Sequence, residues 1–262
     1  MPTKFDHAVI FVSNLEEAIA DFSDLGFEVT RGGSHGLTEA ALLIFSNQTY
    51  IELLALKPVW YKPLIKLAVK LNFLQRQSEK KVTIYWRLIQ WFSGESGPVD
   101  WCVRVNDLAA TLALWKSQGL DILHSEAFSR ERIDGEVVRW HLGGTKCPDL
   151  PILIEDTTPI DARVPLAGTT SHSNGATELL EIQFRVTNKA TAENMAKKFL
   201  LPKASPNNAS DSPLTISNVK ISFGEQPMAQ KISLAVSYSG THTLPLDLGK
   251  THGAKITLIP CK

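Results

Sequence analysis

The chain has 262 residues, 27 basic and 27 acidic side chains and 44% hydrophobic residues. A domain takes about 150 residues, so this length fits one large domain or two smaller ones with a sizeable core. The neutral charge and the apolar content exclude a disordered chain and a protein that coats nucleic acid. The first residues lack the apolar stretch of a secretory signal, and no run approaches the ~18 apolar residues that span a bilayer, so we expect a cytoplasmic protein.

A strand followed by a helix recurs along the chain, and such repeats decide an architecture. Alternating apolar residues predict a strand over 5–12, after which Asn14 caps a helix that stops at Gly26. The same pattern returns without gaps at an offset of 93 residues, beginning with a strand over 99–105. A weaker third copy begins with a strand over 179–186.

Each of these helices is followed by further alternating runs, which is the pattern of β-strands. The runs lie at 27–31, 39–45, 49–56, 122–128, 136–142, 151–155, 215–223, 231–238 and 254–259. Each unit therefore has the predicted order βαβββ. This pattern divides the chain into a first module (1–56), an insertion (57–97), a second module (98–157) and a third, degenerate module (158–262).

The insertion is strongly basic. Residues 57–97 hold eight Lys and Arg against Glu79 and Glu95, a net charge of +6. Apolar residues at helical spacing over 64–74 predict an amphipathic helix, and an aromatic-rich stretch over 82–92 predicts a second one. We interpret the insertion as a helical cap packed on the sheets with its lysines in solvent. The alternatives are a lid over an acidic or amphiphilic ligand and a contact with a membrane surface.

Paired βαβββ units, with a polar residue on the first strand and a glutamate on the last, resemble the vicinal oxygen chelate superfamily. Within it the chain is similar to the glyoxalase-like domain family, which is related to glyoxalases, bleomycin resistance proteins and extradiol dioxygenases. The segments that carry the resemblance are 5–9 (FDHAV), 25–29 (LGFEV), 32–35 (GGSH), 50–55 (YIELLA), 101–108 (WCVRVNDL), 134–140 (DGEVVRW) and 150–155 (LPILIE). The resemblance implies an α+β fold of tandem βαβββ modules that form a cup, with the helical insertion between modules 1 and 2 and a third, degenerate C-terminal module.

The resemblance also implies a divalent metal held by the first and fourth strands of each unit. The matching positions are His7, Glu52, Asp100 by the 93-residue offset, and Glu155 by its strand-end motif. One imidazole with three carboxylates suits Mn²⁺, Mg²⁺ or Fe²⁺ better than Zn²⁺, with Ni²⁺ and Zn²⁺ as the other candidates. Asp100 departs from the His or Glu that the superfamily usually has there. No organic cofactor is implied, and a structural role for each of the four side chains is the alternative.

Other positions are candidates for contacts with a substrate. His35 lies in a glycine-rich loop, where backbone can approach a ligand closely, and Tyr50 lies on the predicted fourth strand. Arg139 and His141 share one face of their strand, which either lines the cup or faces water. In the cup, Arg139 would bind an anionic substrate group, and His141 would shuttle a proton beside Glu155 as the catalytic carboxylate.

Two functions fit this sequence. The first is a metal-dependent lyase, isomerase or dioxygenase that acts on a small substrate with vicinal oxygens or an enolisable carbon. The second is a non-catalytic binding or sequestering module of the bleomycin resistance type. Its cup would be lined by Phe11, Tyr50, Trp86, Trp91 and Arg139. We expect a small molecule and not a nucleic acid as partner, while a homodimer and a membrane contact through the insertion stay open.

Overall fold

Residues 3–57, 83–92, 95–132, 134–201, 213–225 and 231–261 are described by a computed structural model of the chain. The elements of the first module are β1 (Lys4–Phe11), α1 (Leu15–Asp24), β2 (Thr30–His35), β3 (Thr38–Ile44) and β4 (Tyr50–Leu56). The side chain of Asn14 accepts hydrogen bonds from the backbone N–H groups of Glu16 and Glu17, so it caps α1 as predicted. Gly26 follows the helix with a φ of +85°, a conformation that favours glycine.

The second module repeats this order after the insertion. The described part of the insertion contains α2 (Tyr85–Gln90), and the helix predicted over 64–74 lies outside the described residues. The elements of the second module are β5 (Gly97–Arg104), α3 (Leu108–Ser117), β6 (Ile122–Glu131), β7 (Val137–Thr145) and β8 (Ile152–Asp156). Asp107 caps α3 by accepting a hydrogen bond from the N–H of Ala110.

The two modules close into one eight-stranded barrel of strand order β1-β4-β3-β2-β6-β7-β8-β5. In each half the first strand runs parallel to the fourth, β1 beside β4 and β5 beside β8. The halves are joined by β1 and β5, which are antiparallel, and the barrel closes on the other side through the single pair Ser34 and Glu131. The predicted architecture of tandem βαβββ modules is confirmed.

A bulge at Asp6 changes which side chains of β1 face the barrel interior. The β1–β5 register shifts between Phe5 and His7, so the two residues do not share a face as strict alternation predicts. Phe5 packs outside the barrel near Trp101, with ring centroids 6.2 Å apart. His7 points into the barrel.

The C-terminal part of the chain forms a second sheet. After α4 (Ile160–Arg163), its elements are β9 (Ala176–Arg185), α5 (Lys189–Leu200), β10 (Leu214–Ile216), β11 (Val219–Gly224), β12 (Ile232–Tyr238), β13 (Leu244–Pro245) and β14 (Lys255–Pro260). One predicted strand, 215–223, is split into β10 and β11 by a tight turn with positive φ at Ser217 and Asn218. The order β10-β11-β9-β12-β14-β13 repeats the barrel segment β3-β4-β1-β5-β8-β7, including which pairs are parallel.

Among the described residues, the buried hydrophobic side chains form two main clusters, and a third, minor one joins Leu42 and Ile44 to Val164. The larger one lies between the barrel exterior, the helices and the C-terminal sheet, where the rings of Trp101 and Phe184 are 5.0 Å apart. The smaller one lies inside the barrel and joins strand residues such as Val9 and Leu142 to Trp91 beside α2. Among the helices of the described residues, none has the length and apolar character needed to cross a membrane.

Candidate functional site

The barrel encloses a cavity of about 480 Å³. Its polar wall is formed by side chains from β1, β4, β5, β6 and α4, namely His7, Tyr50, Glu52, Cys102, Arg130 and Arg163. Its apolar wall is formed mainly by Tyr85, Leu88, Ile89, Trp91, Phe92, Phe128 and Trp140. This volume and this mixture of many apolar and few polar groups are typical of small-molecule sites.

The segment around α2 covers the cavity because Arg87 anchors it. The guanidinium of Arg87 donates to both carboxylate oxygens of Asp100, at 2.8 and 2.6 Å, and to the carbonyl oxygen of Leu150 at 2.6 Å. Trp91 Nε1 donates to the same carboxylate at 3.0 Å. Asp100, predicted as a metal ligand, is therefore a structural partner of the insertion.

The other end of the barrel holds a buried ion pair next to the predicted site. Arg163 donates to the two carboxylate oxygens of Asp6 at 3.0 and 2.9 Å, and Asp6 Oδ1 lies 2.7 Å from His7 Nδ1. Burial alone would raise the pKa of Asp6, but the charge of Arg163 and the hydrogen bond with His7 outweigh it and hold this pKa well below its ordinary value. Asp6 is thus an ionised acceptor, so Nδ1 of His7 carries the hydrogen and Nε2 faces the cavity.

Arg163 also orders the residues around His7. It donates to Asp156 at 2.6 and 3.0 Å and to the hydroxyl of Tyr50 at 2.5 Å. The ring of Tyr50 stacks on the imidazole of His7, with centroids 4.5 Å apart. Burial raises the pKa of the Tyr50 hydroxyl well above its ordinary value, so Tyr50 is neutral.

His7 and Glu52 meet inside the cavity. His7 Nε2 lies 3.5 Å from Glu52 Oε2, and both side chains line the cavity wall. An imidazole whose only hydrogen is on Nδ1 presents an acceptor at Nε2, as the oxygens of a carboxylate do. His7 Nε2 and Glu52 Oε2 can therefore be joined by one proton held between them or by a donor group of a bound molecule.

The predicted fourth ligand, Glu155, lies elsewhere. Its Oε2 accepts a hydrogen bond from the N–H of Leu108 at 3.1 Å, at the start of α3. The register explains the difference: Val9 pairs with Glu52, and the residue 93 positions later, Cys102, pairs with Ile152. Ile152, and not Glu155, therefore occupies the position that corresponds to Glu52.

The four predicted metal ligands do not converge. Only His7 and Glu52 face the cavity together, and in the described part of the chain no group of three or more His, Cys, Asp or Glu could hold a metal ion. Structural sites and catalytic zinc sites normally need at least three protein ligands. The donor set among these residues does not fit the four-ligand metal centre that the resemblance implies.

The predicted substrate contacts are divided between the cavity and the outer surface. Tyr50 and His35 line the cavity, and His35 Nδ1 is hydrogen bonded to the carbonyl oxygen of Ser129. Arg139 is exposed on the outer face of β7, and His141 lies on the same face, 3.3 Å from the Thr157 hydroxyl. Because the strand alternates, the residue between them, Trp140, lines the cavity instead.

Three functional candidates were not predicted from the sequence. Strand alternation does not indicate Asp6, because the bulge at this residue interrupts the alternation. Arg163 is not indicated either, because 157 residues separate it from Asp6 in the sequence. Arg130 alternates with Phe128 on β6, and this spacing alone predicts that the two share a face. Both line the cavity.

The family of the chain follows from comparison with known proteins. The glyoxalase-like domain family matches residues 5–200, so the chain belongs to this family and to the vicinal oxygen chelate superfamily. A hypothetical protein from Staphylococcus aureus is similar in structure over 99% of this chain and 100% of that chain, with 18% identity and a TM-score of 0.72. No curated protein matches the chain.

Methylmalonyl-CoA epimerases also resemble part of the chain. The enzyme from Mycobacterium tuberculosis has 20% identity and a TM-score of 0.37, covering 61% of this chain and 91% of that chain. A Streptomyces coelicolor epimerase has 17% identity and a TM-score of 0.36, covering 60% of this chain and 100% of that chain. These likenesses concern a part of the fold and carry no inference about activity.

Proposed function

We propose that the chain is a glyoxalase-type lyase or isomerase that moves a proton on a small oxygenated substrate bound in the barrel cavity. The observation that carries the proposal is the His7–Glu52 pair, with Nε2 and Oε2 3.5 Å apart at the cavity wall. Membership of the glyoxalase-like domain family supports a function of this class and specifies no substrate.

The arrangement of His7 supports proton transfer. Asp6 fixes the tautomer of His7 through Nδ1, which leaves the lone pair of Nε2 free to accept a proton from an enolisable carbon. The buried carboxylate of Asp6 then stabilises the imidazolium, as an orienting acid does in catalytic triads. Return of the same proton to another atom of the substrate, directly or through Glu52, completes an isomerisation without any change of oxidation state.

The alternative is a binding module without chemistry. The aromatic wall of the cavity favours it, because Phe128 and Trp140 stack with centroids 6.3 Å apart and Trp91 also lines the cavity. Such surfaces bind planar apolar groups by burial and ring contacts alone. A metal-dependent form of either function would need ligands beyond His7 and Glu52, and we derive no step through a metal.

Deuterium exchange on phenylpyruvate tests the proposal. This probe has vicinal oxygens and enolisable C3 protons, and its loss of C3–H signal in D₂O is followed by NMR. We expect the wild-type chain to accelerate the exchange above the buffer rate, and His7→Gln and Glu52→Gln each to lower the acceleration by about 100-fold. Glu155→Gln, outside the cavity, is the matched control and should keep it. Binding of phenylpyruvate without acceleration would favour the binding module, and acceleration undiminished in His7→Gln would overturn the proposal.

A further inference from the structure

Arg130 is a cation without a carboxylate partner inside the cavity. Its side chain is partly buried and lines the cavity, and its Nε atom is fully buried with no hydrogen-bond partner among the described residues. Nη2 donates to the carbonyl oxygen of Arg163 at 2.7 Å, and the guanidinium lies 6.0 Å from the ring centroid of Trp140. No carboxylate of the described residues forms an ion pair with it.

The other buried arginines of the barrel do have such partners. Arg87 pairs with Asp100, and Arg163 pairs with Asp6 and Asp156. A desolvated cation without a counter-ion is costly, so Arg130 stands out from this pattern. Burial lowers the pKa of Arg130, and the opposing effects of Tyr50 and Glu52 offset this only in part.

The chain leaves space for this guanidinium. A Cβ atom added to Gly32 would lie 3.1 Å from Nη1 of Arg130 and 3.1 Å from the carbonyl oxygen of Ala40. A side chain at position 32 would therefore press on the Arg130 guanidinium and on the backbone of Ala40, and one of them would have to shift slightly.

We propose that Arg130 binds the carboxylate of the ligand, and that the ligand class is an aryl or similarly planar apolar carboxylic acid. This inference rests on the proposed function, because it assigns a ligand to the same cavity. A guanidinium binds a carboxylate through two parallel hydrogen bonds, and Arg130 lines the cavity with a guanidinium that pairs with no carboxylate of the described residues. The apolar part of the acid would lie against Trp140 and the aromatic residues beside α2, such as Trp91.

Glu52 is a carboxylate of the cavity that acts on Arg130 without touching it. Its Oε2 lies 3.5 Å from His7 Nε2 and beyond ion-pair distance of Arg130, so a ligand carboxylate would not have to displace it from the guanidinium. Arg130 and His7 both line the cavity, so an acid bound to Arg130 would share this cavity with His7 Nε2. Arg130 would then bind the carboxylate of the ligand, and His7 would transfer a proton at the atoms next to it.

Comparison of 2-naphthoate with its neutral amide, 2-naphthamide, tests the role of Arg130. The two probes share the same ring and differ in charge, and their Kd values are measured by quenching of tryptophan fluorescence. We expect the wild-type chain to bind the acid at least about tenfold more tightly than the amide. Arg130→Met should remove this preference while keeping the affinity for the amide, and Arg139→Met on the outer face should change neither value.

The results separate this inference from the proposed function. Equal binding of acid and amide by the wild-type chain, binding of neither, or a preference that persists in Arg130→Met would each overturn the role of Arg130. The comparison within the wild-type chain keeps the test decisive even if the variant does not fold. An Arg130-dependent preference together with no deuterium exchange on phenylpyruvate would instead overturn only the proton transfer.

Discussion

Arg163 and Asp6 form a bidentate ion pair across the barrel, although 157 residues separate them in the chain. The second half has a matching relationship, in which Arg87 binds both oxygens of Asp100. Each arginine follows the fourth strand of one module and binds the first strand of the other. The connection after β4 is therefore bound to β5, and the connection after β8 is bound to β1. Both ion pairs position the walls of the cavity.

Loss of the Asp6 carboxylate should destabilise the fold. Asp6→Asn leaves the buried Arg163 with Asp156 as its one remaining carboxylate partner among the described residues, and we expect a decrease of about 3 kcal/mol in the free energy of unfolding, measured by urea denaturation. Since the pKa of Asp6 is lowered in the folded state, its contribution is fully present above the unfolded value of about 3.9 and is lost as pH falls below it. The wild-type chain should therefore lose stability relative to Asp6→Asn on acidification, and an unchanged difference between pH 7 and pH 3 would contradict this assignment.

The Arg87–Asp100 pair should hold the α2 segment over the cavity. Arg87→Met leaves the Asp100 carboxylate buried without its cation, so we expect a loss of about 3 kcal/mol in stability and weaker binding of 2-naphthoate. Replacement of the exposed Arg139 by Met is the matched control. Unchanged naphthoate affinity in a folded Arg87→Met chain would show that the α2 segment does not cover the ligand.

We expect Glu155 to stabilise the start of α3 and not to contact a ligand. Glu155→Ala removes the acceptor for the N–H of Leu108, and we expect a loss of about 1 kcal/mol in stability with no change in deuterium exchange on phenylpyruvate. A large effect on exchange with little effect on stability would restore Glu155 as a catalytic carboxylate.

We expect the substitution Gly32→Ala to change ligand binding through its contact with Arg130. The added methyl group would lie 3.1 Å from Nη1 of Arg130 and shift the guanidinium slightly, so we expect it to reduce the preference for 2-naphthoate over 2-naphthamide by about threefold. In an Arg130→Met background the same change should have no effect on the preference, because the displaced group is absent. An equal effect in both backgrounds would assign Gly32 to the ligand or the backbone instead.

Local patterns were sufficient to predict the repeated modules. Asn14 caps its helix as predicted, and Asp107, 93 residues later in the repeat, caps the corresponding helix, because a capping side chain acts on backbone within three residues. His7 and Glu52 also face each other across neighbouring strands, as the resemblance implies. These features depend on short sequence spacing or on a strand order that the family shares.

Other features of the site depend on register and on distant partners. The match of Glu155 to Glu52 followed a sequence motif, whereas the strand pairing places Ile152 there. Alternation alone left open which face of β7 lines the barrel, and the structure places Trp140 inside and Arg139 outside. No local pattern indicates that Arg87 would bind Asp100, because the pair is formed only when the insertion packs on the barrel.

The most direct measurement is a crystal structure of the chain with 2-naphthoate. We predict the naphthyl ring inside the barrel beneath α2, with the carboxylate within hydrogen-bond distance of Arg130 and next to His7 and Glu52. A second pocket on the outer surface, lined by Lys116 and His124, offers a competing site for an acid. Naphthoate bound there, or beside Arg139 and His141, with none in the barrel cavity would contradict the assignment of this cavity as the ligand site.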